Sequence, residues 1–349
     1  SWPNSNKKQL KSHFAENNYI LINQIVMNLD NKNKSLVDKI HEVCKCARSS
    51  ARTYASTIRR IGDQFGGGYK KDLKFLHKPD ILEKIKKLDA SLAVKRNLSN
   101  GVIIGLKLEP HTKLNDKYHA YLLELNKQVD TQAKSGKLTE KQLAKMISWD
   151  KIVKLRKLLA KKLRLSQAMK QKNVLARDIK LINSFVLLAC YTLTPPVRLD
   201  WSTVTYHNQK GFHNIKVRTG NYLILRKQSV TVNWNSYKTQ KHHGSVTTEL
   251  PKPLARILRR HCRWMKKHFP NNDRLFLNTR FEPLTRQNLS KTLENLFYGY
   301  FKKRISVSAI RRIYLSSKYK HSIVAEARKD ANSMLHTVSE AQNSYVKQI

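Results

Sequence analysis

The chain has 349 residues, with 68 Lys+Arg against 24 Asp+Glu and a formal net charge of +44. That length supports two domains with real cores, while so large a cationic excess repels itself in a compact fold and points to a polyanionic partner, nucleic acid first. No apolar run approaches the roughly 20 residues of a spanning helix, and no basic amphipathic tail or lipidation motif is evident, which argues against a membrane partner.

The chain opens on Ser1-Trp2-Pro3-Asn4, without Met and without an apolar stretch, so the expectation is neither a signal peptide nor necessarily the native start. Cys44, Cys46, Cys190 and Cys262 show no metal-ligand spacing and read as reduced thiols of an intracellular protein, with no zinc site.

Residues 1–34 read as an arm or first helix, with Leu21, Ile22, Ile25, Val26 and Leu29 on one face. Residues 35–150 read as a helical domain with no convincing strand. Within it the 50–62 helix interleaves small and hydroxyl residues with Arg52, Tyr54, Arg59 and Arg60, a composition suited to lying along a phosphate backbone. A second helix, 91–106, carries Lys95 and Arg96 in the same role. A solvated basic face is the competing reading for both. The cation run 151–174 is expected to bridge the two halves as one helix, its Leu/Ile spacing favouring a helix over a coil linker.

Residues 175–349 form the second half, and composition changes after Thr194-Pro195-Pro196. An apolar core helix spans 175–193 and ends at Thr194-Pro195-Pro196. Short β-like runs follow at 222–225, 230–234 and 246–250, with Lys238 in the turn between the last two. Pro251 opens a helix to about His268, Thr285 caps one to about Phe301, and Ser306 or Ser308 caps one to about Lys318. Thr337 and Glu340 form a capping-box pair, so a last short helix carries Tyr345, with His336 just outside it. The fold class is mostly α with a small antiparallel sheet, α+β, in the second half.

In order along the chain, Arg198 follows a core helix and Lys238-Thr239 sits in a hairpin turn ahead of Leu250-Pro251. Ser308-Ala309-Ile310-Arg311 then opens a helix, and His336 precedes Tyr345 by nine residues. This order resembles the catalytic domain of the tyrosine recombinases, the phage-integrase-like family. The family's His-x-x-Arg box has Ser308 in place of its histidine. Arg311 and Arg312 are adjacent and either suits the second arginine, the apolar Ile310 favouring Arg311. Lys241, beside His242 and His243, is the alternative lysine, and Asp200 corresponds to the family's acidic residue with shifted spacing.

The resemblance implies a C-shaped clamp: a helical core-binding domain in 35–150 and a catalytic domain in 175–349. It implies site-specific recombination or integration through a 3′-phosphotyrosyl intermediate on double-stranded DNA, as a homo-oligomer, dimer or tetramer, in the manner of enzymes of large DNA viruses and mobile elements. Arg198, Arg311 and His336 would clamp the phosphate and Lys238 would protonate the leaving oxygen, with Ser308 beside them and Tyr345 as nucleophile. Arginines serve where a metal otherwise would, so no metal or cofactor is implied. The same groups suit a type IB topoisomerase, and a catalytically silent DNA-binding protein on the same scaffold is the reading from another class.

Overall fold

Isoleucine and leucine at helical spacing build the first of two cores. The computed structural model describes residues 35–69, 72–135, 137–319, 323, 324 and 326, and the chain divides into two compact units, Ser1–Lys137 and Leu138–Ile349.

In the first unit the described helices are α1 (Leu36–Cys44), α2 (Arg48–Phe65), α3 (Asp80–Lys87), α4 (Leu92–Leu108) and α5 (Thr112–Lys134). Ser35 starts α1 by accepting from the Asp38 amide, and Lys45 stops it in the left-handed region. The buried face of α2 is Ala51, Ala55, Ile58, Ile61 and Gly62, small enough for α4 to press close. A Cβ at Gly101 of α4 would lie 2.6 Å from Thr57 Cγ2, and one at Gly105 2.2 Å from Leu76 Cδ1. A side chain at either place would force its neighbour to shift, which favours glycine there, although glycine costs a helix interior about 1 kcal/mol. Ile40, Ile58, Ile61, Leu76, Val102 and Tyr118 complete the core between these helices.

The second unit begins with α6 (Glu140–Leu143), whose Thr139 and Gln142 form a complete capping box. Next is α7 (Trp149–Ser166), which carries most of the cation run. This helix is shorter than the 151–174 expectation. Gln167 turns left-handed and a 3₁₀ turn, Ala168–Lys170, follows. Ile152, Leu155, Leu159 and Leu163 of α7 are buried in the core of the second unit, against α8 (Ala176–Leu193). Apolar burial thus makes α7 part of this unit. Thr194 is extended and Pro195-Pro196 follows, which ends α8, because proline bars its predecessor from the α region and has no amide to donate.

A four-stranded sheet comes next: β1 (Val204–Asn208), the short helix α9 (Gln209–His213), β2 (Asn221–Leu225), β3 (Val230–Trp234), the single turn α10 (Gln240–His243) and β4 (Val246–Glu249). Strand order is β1-β2-β3-β4. The three strands legible in the sequence pair antiparallel, Leu223 opposite Val232 and Val232 opposite Thr248. β1 was not foreseen, and it joins β2 in parallel, Val204 opposite Asn221, making the sheet mixed. Only Val204 of β1 is buried, so the strand lacks the alternation that announces one. The chain continues through α11 (Lys252–His268), α12 (Arg286–Phe301) and α13 (Val307–Lys318). Thr285 caps α12, and of the two serines considered for α13 it is Ser306 that accepts from the Ala309 amide. The fold is mostly α, with one small sheet in the second unit. Among the described residues no helix is long and apolar enough to cross a membrane.

Candidate active site

Tyr191, fully buried in the last turns of α8, donates its hydroxyl to the carbonyl of Arg198 at 2.6 Å. Burial pushes that phenol well above its usual range, so it keeps its proton and remains a donor. The Arg198 backbone is thereby held while its side chain stays exposed. From α13, Arg311 Nε donates to the carbonyl of Pro196 at 3.2 Å. A guanidinium anchored through Nε keeps both terminal amino groups free, and those two form the fork that grips a phosphate. Arg311 is thus brought to the turn that carries Arg198, 113 positions earlier in the chain.

Beneath them lies Asp200, buried at the head of the 3₁₀ turn Asp200–Thr203. Its Oδ1 accepts from Arg286 Nη2 at 2.6 Å. Burial pushes the carboxyl up, while Arg286 first, then Arg198 and Arg311, pull it back. The carboxylate is therefore sensed by both arginines and acts as a counter-charge under the pair. Arg286 had no signal in the sequence: it reads as an ordinary first-turn cation behind the Thr285 cap, and only the fold carries it to Asp200.

Lys238 is exposed in the connection between β3 and β4. Two contacts tie that connection to the Asp200–Thr203 turn. Trp234, at the end of β3, packs edge-on against Trp201, with ring centroids 5.1 Å apart. Asn221, buried at the head of β2, accepts from the Asn235 and Ser236 amides at 3.0 and 2.9 Å. Its amide group donates to Thr203 Oγ1 and to the Ser236 carbonyl, both at 2.9 Å. Farther out, Tyr237 donates to the Gly244 carbonyl at 2.7 Å, closing the loop that presents Lys238. Asn221 escaped sequence reading because an asparagine opening a strand carries no distinguishing pattern.

Ser308 is exposed in the first turn of α13, three residues ahead of Arg311. The amides of that turn add partial positive charge on the same end of the helix. His336 and Tyr345 lie outside the described residues. In the first unit, Arg52, Arg59 and Arg60 occupy the exposed face of α2, while Tyr54 is half-buried against the core. Lys95 and Arg96 are half-buried on α4, and Lys95 Nζ donates to the Lys86 carbonyl at 2.6 Å, capping the end of α3. The four cysteines form no disulfide, and Cys190 and Cys262 are buried.

No family profile matches the sequence, and no curated protein does. Among solved structures, the XerH site-specific recombinase bound to its difH substrate in a pre-cleavage complex is similar at 16% identity, with a TM-score of 0.38, over 93% of this chain and 89% of that one.

Proposed function

We propose that this chain is a tyrosine recombinase that cuts and rejoins double-stranded DNA through a 3′-phosphotyrosyl intermediate. The observation that carries the reading is the meeting of Arg198 and Arg311 at the Pro196 turn, over Asp200. In-line attack on a phosphodiester places extra negative charge on the non-bridging oxygens, and two planar donors carried at one turn suit it. Arg198 and Arg311 are assigned to that clamp, with His336 as a further donor and Ser308 at its edge. Lys238 is assigned to protonate the leaving 5′-oxygen, and Tyr345 to attack; cationic neighbours favour its phenolate, whose reference pKa is about 10. The phosphotyrosyl bond conserves the phosphodiester's energy, so a 5′-hydroxyl reseals the strand without ATP.

The first unit is assigned to DNA binding through the exposed face of α2, with Arg52, Arg59 and Arg60. Lys95 and Arg96 of α4 serve beside it. Action on two sites calls for a homo-oligomer, dimer or tetramer, inside the cell that holds the DNA. The test is a suicide duplex incubated with the full chain. Wild type traps a covalent, protease-sensitive adduct, and Tyr345→Phe traps none. DNA binding without any adduct from wild type sinks the proposal in favour of a silent DNA-binding protein. Relaxation of a supercoiled plasmid without joining of two sites assigns a topoisomerase instead.

A further inference from the structure

On α7, Lys157, Lys161 and Arg164 stand at i, i+4 and i+7, and on α11, Arg256, Arg260 and Arg263 repeat that spacing. Such spacing sets three side chains on one face over about 10 Å of helix. Both stripes line a single hollow of about 690 Å³. All six cations are exposed, and none enters a hydrogen bond or ion pair among the described residues. No carboxylate lines the hollow. Neighbouring cations, by contrast, serve the fold: Arg259 donates to the Arg226 and Ser229 carbonyls, and Arg156 to Thr192 Oγ1 at 3.2 Å.

The wall behind the stripes is apolar. Leu163 and Val186 are buried, and Phe185 and Ile257 half-buried. His261 belongs to the same wall; its Nε2–H is committed to the Leu275 carbonyl at 2.7 Å, and burial lowers its pKa to about 4, so it stands there as a neutral group. A concave, low-dielectric wall concentrates the field of six unneutralised charges. Four of the six are arginines, whose forks match phosphate oxygens, and the volume lies within the range of small-ligand sites.

We propose that this hollow is a phosphate site, built for a run of adjacent phosphate groups, either a free condensed oligophosphate or a stretch of nucleic-acid backbone. It shares no residue with the candidate active site and does not depend on the function assigned there.

Inorganic tripolyphosphate titrated calorimetrically into the full chain is the test. The comparison is between Arg256→Ala/Arg260→Ala/Arg263→Ala and a control of equal charge loss on α5, Lys113→Ala/Lys117→Ala/Lys127→Ala. Wild type binds at one saturable site, the α11 variant loses affinity at least tenfold, and the control stays within twofold. Lys157→Ala/Lys161→Ala/Arg164→Ala on the facing helix reproduces the loss, which guards against misfolding of either variant.

Duplex binding against salt separates the two ligands. A backbone segment in the hollow makes the slope of log K on log salt shallower by about 0.9 for each phosphate contact the α11 variant loses. An unchanged slope with specific tripolyphosphate binding assigns the free oligophosphate. Tripolyphosphate binding that is absent, or weakened alike in the α11 and control variants, together with an unchanged slope, overturns the site.

Discussion

Replacing Asn221 by alanine removes four hydrogen bonds from one buried side chain. Two backbone amides, Asn235 and Ser236, lose their acceptor, and Thr203 Oγ1 and the Ser236 carbonyl lose their donor. Each bond contributes about 0.5–1.5 kcal/mol net, and a buried group left unpaired costs about 1–3. Ser236 is exposed and Asn235 half-buried, so water recovers part of the loss at the connection, whereas the space left at Asn221 is sealed. The expected destabilisation is about 2–4 kcal/mol, read from urea unfolding of the full chain. Amide exchange at Asn235 and Ser236 should accelerate well beyond that of β3, because the connection is released while the ladder remains. If the proposed chemistry holds, adduct formation with the suicide duplex falls more than duplex binding, since Lys238 is carried by the same connection. A stability loss under about 0.5 kcal/mol with unchanged exchange at both amides would refute the reasoning.

Two further outcomes follow from the charges. Burial lowers the His261 pKa from 6.5 to about 4, so between those values the unfolded chain binds the extra proton and stability falls as pH drops, by about 3 kcal/mol in all. His207 and His268 are lowered too, so the quantity to measure is the difference between wild type and His261→Gln at pH 7 and pH 4.5; equal acid losses in both would show that His261 is not the source. Arg286→Ala strands the buried Asp200 carboxylate, but the Arg286 side chain is 46% exposed, so solvent screening holds the loss to about 1–3 kcal/mol at pH 7. Adding Asp200→Asn should restore part of that loss, and single and double variants of equal stability would mean that charge is not what the pair contributes.

What the sequence made legible was local in origin. Ser35, Thr285 and Ser306 are caps whose partners lie three residues away, and Pro195-Pro196 stops α8 by its own geometry. Strands β2 and β3 showed because bulky residues fill them almost throughout. Whatever rested on distant partners stayed hidden. β1 is a strand because β2 accepts it, Asn221 matters because of Thr203 and Ser236, and Arg286 matters because Asp200 lies 86 positions earlier. In the basic run at 151–174 the Leu/Ile spacing marks a helix, whereas the partner of that stripe, and so the place of α7 in the second unit, shows only once α8 lies against it.

The adjacent Arg311 and Arg312 show where local reading ends and geometry begins. Successive residues on an α-helix point about 100° apart, so at most one of the two can face the Pro196 turn. Arg311 Nε bonds to the Pro196 carbonyl, and Arg311, unlike Arg312, is among the groups that act on Asp200. The sequence could weigh them only by the apolar Ile310 ahead of Arg311. In the fold Ile310 and Ile313 are buried, which orients α13 against the core and turns Arg311 to the Pro196 carbonyl. The same two isoleucines that anchor the helix therefore decide which arginine meets Pro196, and a substitution that rotated α13 would break that contact without touching either arginine.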